Sequence, residues 1–500
     1  MLMLRCCLLS LFVLLSACQT HPALQKDNLD QATDRLLTDQ PVWNAVPEST
    51  TVQTLSDVDA SNPVEPVKPF TPSDTSSLID PQSDTDQQIF VEGWLVTFQD
   101  NNLETLVEQA LSENADLRVS ANNISIQLEQ ARIIGAPLWP QLDARFGASR
   151  NRSDNPFSPD QSFFTTNYTA DLNLSWQFDI WGRIINQRQA ATWDVQTQMA
   201  NYAAARLALV ANVTRAWFNL RSLKQQLQLA EQQLQLQQQT LRLIEDLYRN
   251  GTRTALDVYL NRTTLENQQV SILELQRLQD TAIRQLKVLL NHYPDNELTV
   301  DTSILPDLPA IPVGLPSALL QRRPDIIAAR AQWQSARLNA YAAHKARFPG
   351  LQLTGNLGKS SSDLESLDVA EVTWSIVGGL VQPLFQGGRL KAQAMQAALQ
   401  TDSNLQQYVS VLLTAFSEVE ISLNNENQYA QQLQATRRAA DFAQGAYDLS
   451  LQQYQNGLIN FQDLLTAQRN LFDAKDSVIR LQNTLLQNRI DLYLALGGNF

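Results

Sequence analysis

Apolar residues follow two different periods along this chain. Over two long segments, from about 183 to 249 and from about 388 to 455, they recur every seven positions. The first series is Leu220, Leu227, Leu234, Leu241 and Tyr248, with Leu223, Ala230 and Ile244 at the second position of the repeat. The second series is Leu433, Ala440, Tyr447 and Tyr454. A seven-residue apolar repeat predicts long helices that pack as coiled coils.

Each predicted helix also carries a second apolar stripe, about 200° around the helix from the first. The members of these stripes are Leu229, Leu236 and Leu243 in one helix, and Ala435, Phe442 and Leu449 in the other. Two nearly opposite seams favour a helix with neighbours on both sides, as in the wall of a closed cylinder. The core of a simple helical bundle is the alternative, since it also gives wide apolar faces.

Four shorter segments alternate apolar and polar residues, which is the period of a β-strand. In the most regular segment, one face carries Tyr168, Ala170, Leu172, Leu174, Trp176 and Phe178. Similar alternation runs from Leu142 to Ala148 and from Leu351 to Leu357, and less regularly from Val372 to Leu384. Strands of about ten residues with one apolar face are typical of membrane β-barrels. The polar stretches Asn151–Thr166 and Ser360–Ala370 are the predicted loops between them.

Four strands are too few to close a barrel. In lipid, each unpaired backbone group at an open edge would cost several kcal/mol. The sheet therefore either closes by association of several copies or forms the edge of a soluble sandwich. The long helices and the N-terminus favour the first interpretation.

The chain is also duplicated. Gly182-Arg183 recurs as Gly388-Arg389, and the segment from Tyr248 to Gly251 recurs as Tyr454 to Gly457, both after 206 residues. Trp139-Pro140 matches Phe348-Pro349 after 209 residues. Each unit is predicted to contain a helix, two strands, a very long helix, a glycine turn and a further helix, so the chain is a doubled domain rather than a solenoid.

The N-terminus has the features of a processed secretory signal. Arg5 precedes a short apolar run, and Leu15-Ser16-Ala17-Cys18 resembles the bacterial lipobox. This predicts a signal peptide at 1–17 and a lipid on Cys18, with an ordinary signal cut nearby as the alternative. Gln19 in place of Asp implies delivery to the outer membrane. Residues 18–90 are predicted to form a lipidated, acidic and proline-rich disordered tether.

Composition removes several functions. Lys and Arg number 37 against 51 Asp and Glu, a net charge of −14 that opposes nucleic-acid binding. Cysteines occur only at Cys6, Cys7 and Cys18, and the histidines His21, His292 and His344 are far apart. A metal site and a cofactor other than the lipid on Cys18 are therefore not expected. No spaced set of His, Cys, Ser or paired carboxylates suggests an enzyme such as a hydrolase.

Several motifs together resemble the TolC/OprM-type outer-membrane factors. They are Trp181-Gly182-Arg183, the segment Leu320–Ile326 and the duplicated glycine turns. The likeness covers about 100 to 497, and the lipobox places the chain nearer the lipoprotein (NodT-like) branch that serves resistance–nodulation–division (RND) pumps. It predicts repeats at 91–293 and 317–500, with an equatorial segment at 294–316.

The resemblance implies an α+β membrane protein: a homotrimer with a transmembrane β-barrel of about twelve strands, continuous with a periplasmic α-barrel of antiparallel coiled-coil helices. Such a channel would span the outer-membrane lipid. It would passively conduct small molecules from periplasm to exterior, with a periplasmic adaptor and an inner-membrane RND-type pump as partners. A polypeptide secretion duct and a purely structural coiled-coil lipoprotein are the alternatives. Drugs, metals and dyes are all open as cargo.

The same resemblance implies a set of site residues. Gly251 and Gly457 would form the periplasmic tip, with Tyr248, Tyr454 and Arg253 as latch partners. Asp463 would contribute to an acidic ring that narrows the channel, and Asp257 is its counterpart in the first repeat. Thr466 stands where a family member has a second acid, so this constriction is expected to be either less acidic or differently built. The alternative is that these residues are simply solvated groups beside a turn.

Overall fold

The computed structural model describes residues 93–155, 158–298, 306 and 322–498. The predicted signal peptide, Cys18 and the acidic tether lie outside these residues, and so does most of the segment 294–316. A short 3-10 helix, Trp94–Phe98, begins the described chain.

The elements follow in a duplicated order. In the first half they are α1 (Asn101–Glu113), α2 (Ala115–Gly135), β1 (Gln141–Asn155), β2 (Ser158–Phe178), α3 (Arg183–Arg249) and α4 (Ala255–Leu289). In the second half they are α5 (Pro324–Lys345), β3 (Gly350–Ser361), β4 (Thr373–Val381), α6 (Arg389–Gln455) and α7 (Phe461–Ala495). The predicted sequence of helix, two strands, long helix and second helix is confirmed.

The long helices have the predicted bounds. α3 and α6 are each 67 residues long, which at about 1.5 Å per residue makes them roughly 100 Å in length. Each begins after a glycine in the left-handed region, Gly182 with φ +69° and Gly388 with φ +83°. Since this backbone conformation is costly for other residues, these glycines fix the point at which strand becomes helix.

The four strands form one antiparallel sheet in the order β1-β2-β3-β4. Its register places the apolar positions of neighbouring strands side by side: Leu142 pairs with Leu174, Leu172 with Leu357, and Leu357 with Trp374. On the other face Asn356 Nδ2 donates to Asn173 Oδ1 at 3.0 Å. The predicted division into one apolar and one polar face is therefore confirmed for the first three strands. In β4 the apolar face carries Trp374, Ile376 and Leu380, but Val377 and Val381 lie on the opposite face, so this strand is as irregular as predicted.

One prediction about the loops was wrong. β1 and β2 are 15 and 21 residues long, and their pairing continues through Arg150–Thr166 and Arg152–Phe164. Most of the expected loop Asn151–Thr166 is thus a hairpin. The polar composition of this segment suggested a loop, but backbone pairing between strands does not require apolar side chains. The second predicted loop agrees better, since β3 ends at Ser361 and β4 begins at Thr373.

Aromatic side chains join the two repeats at the base of the sheet. Trp181 Nε1 donates to the carbonyl of Pro349 at 2.8 Å, and the Trp181 ring lies 5.2 Å from the ring of Phe348. Trp176 Nε1 donates to the carbonyl of Leu138 at 3.0 Å. These contacts fix the strand ends against the chain segments that lead into β1 and β3.

A single subunit covers only one of the two seams of α6. Leu433, Tyr447 and Tyr454 of the first seam are buried, whereas Phe442 of the opposite seam is 78% exposed. Leu449, one heptad further along the same seam, is also exposed. Because contiguous apolar surface marks a site of protein contact, this stripe indicates a surface that meets a neighbouring subunit. Among the described residues, no helix combines the length and the apolar character that crossing a membrane would require.

Candidate functional site

The α3–α4 and α6–α7 turns have the same geometry. Gly251 and Gly457 are left-handed, with φ of +71° and +73°. Thr252 N donates to the carbonyl of Leu247 at 3.0 Å, and Leu458 N donates to the carbonyl of Gln453 at 2.9 Å. These bonds satisfy helix-end carbonyls in the arrangement for which glycine is favoured.

A cation–aromatic contact joins the two turns. The guanidinium of Arg253, in the first turn, lies 4.3 Å from the centroid of the Tyr454 ring at the end of α6. Arg253 Nη2 also donates to the carbonyl of Tyr454 at 3.2 Å. The structure therefore brings together two of the three residues expected to form a latch.

The two tyrosines at these turns have different environments. Tyr454 is fully buried, packs 6.0 Å from the Phe461 ring, and has a hydroxyl with no hydrogen-bond partner among the described residues. Burial raises the pKa of the Tyr454 hydroxyl above its ordinary value; the Arg253 charge opposes the shift and the Asp257 charge adds to it. Tyr248, its counterpart in the first repeat, is exposed. Only the second-repeat tyrosine belongs to the contact between turns.

The two equivalent aspartates also differ. Asp257 Oδ2 accepts from the backbone N–H of Thr254 at 3.2 Å, and Thr254 Oγ1 accepts from the N–H of Asp257 at 3.4 Å. This is a capping box, which stabilises the start of α4. At α7, Asn460 Oδ1 accepts from the N–H of Asp463 at 2.9 Å, but among the described residues the Asp463 carboxylate does not accept from the N–H of Asn460 in return. Asp257 has a local structural role that Asp463 lacks.

Asp463 is exposed and lines an open groove of about 440 Å³ between α6 and α7. Thr466, one helical turn further on, lines the same groove, and Phe442 contributes an apolar wall. The groove thus combines one carboxylate with neutral polar and apolar surface. In the described part of the chain, no cluster of His, Cys, Asp and Glu could hold a metal ion.

Sequence reasoning missed the residues that begin α4 and α7. Thr254 and Asn460 each stand three positions before an aspartate, and this spacing is a recognisable signal for a helix start. It would have shown that Asp257 and Asp463 occupy helix-capping positions. It could not have shown that only Asp257 uses its carboxylate there, which depends on side-chain geometry.

The fold and the turns define a class of protein: an outer-membrane channel built from a β-sheet and very long periplasmic helices. The chain belongs to the outer membrane efflux protein family, whose model matches residues 106–292 and 315–498. It is 33% identical to the probable efflux pump outer membrane protein TtgC of Pseudomonas putida, over 84% of this chain and 88% of that protein.

Solved structures of outer-membrane channels share the fold. The channel OprN superposes with a TM-score of 0.75 at 27% identity, covering 81% of this chain and 92% of that one. The structure of CusC also gives a TM-score of 0.75, at 28% identity, with coverage of 81% and 94%.

Membership of the family establishes the general function. The protein is the outer-membrane exit channel of a tripartite efflux pump and not an enzyme. It acts as a trimer, with a periplasmic adaptor and an inner-membrane pump as partners. Three four-stranded sheets then make one barrel of twelve strands, continuous with an α-barrel in the periplasm.

Proposed function

We propose that the helix turns of three subunits close the periplasmic end of this exit channel. The three copies of Asp463 form a ring of carboxylates at the narrowest point, and this ring selects ions. The observation that carries the proposal is the difference between the two aspartates. Asp257 is engaged in a capping box, whereas Asp463 presents an exposed carboxylate beside the second turn. A carboxylate without a structural role is available to act on the contents of a channel.

Three-fold symmetry turns this one side chain into three carboxylates around an axis. Rings of acidic side chains attract cations and repel anions at close range. Thr466 is neutral, so the ring carries three carboxylates rather than the six that a second acid would give. The expected selectivity is therefore for cations, but weaker than in a channel with two stacked acidic rings.

The contact between Arg253 and Tyr454 supplies the closed state. It joins the turn of the first repeat to the turn of the second, so that the two helix pairs cannot separate without breaking it. A cation–aromatic contact contributes about 0.5–2 kcal/mol, which three subunits multiply. An adaptor that binds the tip would have to overcome this stabilisation to open the channel.

Cys18 completes the proposal as the site of a lipid anchor. The sequence Leu15-Ser16-Ala17-Cys18 and the residue Gln19 support lipidation and delivery to the outer membrane. Acyl chains would tether the N-terminus to the same membrane that the barrel spans. Labelling with a palmitate analogue should mark the wild-type protein and leave the Cys18→Ser variant unmarked; equal labelling would refute the anchor.

The test of the gate uses the two aspartates as a matched pair. Asp463→Ala should raise single-channel conductance in planar bilayers and lower the preference for cations. Asp257→Ala should leave ion preference unchanged, because it removes a helix cap of about 1 kcal/mol rather than a channel charge. Unchanged conductance and selectivity in Asp463→Ala would remove Asp463 from the gate. Absence of conductance in the wild-type protein would contradict the channel itself.

A further inference from the structure

The two repeats correspond residue by residue along their helices. α3 and α6 have equal length, α4 and α7 have equal length, and both pairs are separated by 206 positions. Any contact between the first and second repeats of one chain therefore has a counterpart, which is the pair formed by the equivalent residue of each repeat. If the repeats follow each other around a closed ring, that counterpart lies between the first repeat of one subunit and the second repeat of the next.

Within the chain, α3 packs against α7, the second helix of the second repeat. Arg215 of α3 forms an ion pair with Asp491 of α7, and the carbonyl of Arg215 accepts from Gln487 Nε2 at 3.3 Å. This is the in-chain contact between repeats at the upper end of the coiled coil.

The equivalent surface of the first repeat, on α4, borders a groove that is open in a single subunit. It lies between α3 and α4, has a volume of about 540 Å³, and is lined by Ala216, Thr281, Gln285 and Val288 among others. Thr281 and Gln285 correspond to Gln487 and Asp491, so this is the place that an equivalent of Arg215 would occupy.

The equivalent of Arg215 is Ile421, on α6. It is 56% exposed in a single subunit, and nothing in the described part of the chain covers it. An exposed isoleucine and an open, largely apolar groove are thus placed at corresponding positions of the two repeats. Where the contact inside the chain uses the charged Arg215, the equivalent position of the second repeat holds the apolar Ile421.

The same relation closes the sheet. In the chain, Leu174 of β2 pairs with Gly355 of β3. Moved by one repeat, which is 206 positions from β2 to β4 and 209 positions from β3 back to β1, this pair becomes Leu380 of β4 and Phe146 of the partner subunit, both exposed on edge strands in one subunit. The apolar face then continues across the boundary without a change of side, as a barrel in lipid requires. One operation therefore accounts for the open groove and for both open edges.

We propose that Ile421 of the partner subunit inserts into the groove between α3 and α4, beside Gln285 and Val288, and that this contact is an apolar lock of the trimer. It rests on the trimeric channel described above and adds the residues that join its subunits. Charge supports the same occupant: the cation Arg284 lines the groove, and Glu420 of the partner subunit precedes the inserted isoleucine.

Cross-linking tests the position. Ile421→Cys with Gln285→Cys, treated with a short bismaleimide, should give dimer and trimer bands on a denaturing gel. The matched pair Arg215→Cys with Asp491→Cys should react within one chain and give only monomer. A flexible linker is preferred to a disulfide because a disulfide forms only where the two Cα atoms lie within about 7 Å. The single variants, which retain Cys6, Cys7 and Cys18, are the controls.

Charge transfer tests the energetics. Ile421→Arg should lower the temperature at which the trimer dissociates on an unheated gel, because it places a cation in an apolar groove. Adding Gln285→Asp should restore that temperature, since the double variant rebuilds the Arg215–Asp491 pair across the boundary. The proposal would be overturned if the change in dissociation temperature of the double variant were only the sum of the changes in the two single variants. The proposal would also be overturned if only the control pair cross-linked while the protein still conducted ions. That result would leave the channel function itself intact.

Discussion

Glu426 of α6 and Arg489 of α7 form an ion pair in the interior between the two helices. Their side chains are only 11% and 4% exposed, and Arg489 Nε and Nη2 both donate to Glu426 Oε1, at 3.1 and 2.5 Å. Asn488 Nδ2 donates to the second carboxylate oxygen at 2.9 Å. The equivalent residues of the first repeat are Leu220 and Ile283, which are buried together in an apolar cluster. The same packing position is therefore occupied by an ion pair in the second repeat and by an apolar pair in the first.

This comparison predicts a double-variant result. Glu426→Leu or Arg489→Ile alone should destabilise the protein by about 3–5 kcal/mol, because each leaves one uncompensated charge in the interior. The double variant should recover most of that loss, since it reproduces the pair that already packs in the first repeat. Chemical denaturation of the purified protein measures all three. Losses that simply add would show that the pair is not coupled.

The contact between Arg253 and Tyr454 predicts the behaviour of the closed channel. Arg253→Ala removes a cation–aromatic contact and a hydrogen bond, together about 1–3 kcal/mol per subunit, and should increase the fraction of time that the channel is open. Planar-bilayer recordings measure this fraction. Arg249→Ala is the matched control, because Arg249 is exposed and its ion pair is with Asp246 on its own helix. An equal effect of the two substitutions would exclude a specific latch.

Much of the fold could be predicted because its determinants are local. Gly182 and Gly388 fix where the long helices begin, and strict alternation fixes which face of each strand is apolar. The length of β1 and β2 could not be predicted, since backbone pairing through Arg152 and Phe164 leaves no apolar pattern. The burial of Glu426 and Arg489 could not be predicted either, because the sequence does not distinguish a buried charged pair at seam positions from a solvated one.

For the candidate site, the sequence indicated the turns and both aspartates but not how they differ. Asp257 and Asp463 occupy identical positions relative to their glycines. Their difference comes from the preceding residues, Thr254 and Asn460, and from the orientation of one carboxylate. The sequence likewise did not show that Tyr454 is buried while Tyr248 is exposed, because Tyr454 packs in a cluster with Ile244, a residue about 200 positions away.

Two glycines of the second repeat predict opposite effects of the same substitution. Gly457 has φ +73°, so Gly457→Ala should cost about 1–2 kcal/mol from backbone strain, although no atom lies within 4 Å of the added Cβ. Gly445 lies within α6 with equally open space, so Gly445→Ala should stabilise by about 0.5–1 kcal/mol. Denaturation midpoints of the two variants measure the difference. A loss of stability in Gly445→Ala would mean that its open side is occupied in the trimer.

Asp194 of α3 predicts a pH dependence of stability. It lies in a polar pocket of about 320 Å³ between α3, α5 and α6, lined by the neutral side chains of Gln332, Asn339, Gln400 and Asn404. Burial raises the pKa of the Asp194 carboxyl above its ordinary 3.8, and a hydrogen bond with Ser335 opposes the shift. The native state therefore holds this proton more tightly than the unfolded chain does.

The sign of the effect follows from that difference. Stability contributed by Asp194 is fully present below its ordinary pKa and is lost as pH rises through the raised native value. Asp194→Asn keeps an acceptor for Ser335 and removes the buried charge, so it should unfold at a higher temperature than wild type at pH 7. The difference in unfolding temperature between Asp194→Asn and wild type should shrink as the pH falls toward 4. Asp402→Asn, at an exposed position of α6, is the control and should show no such trend. If the advantage of Asp194→Asn were the same at both pH values, burial of a charge would not be its cause.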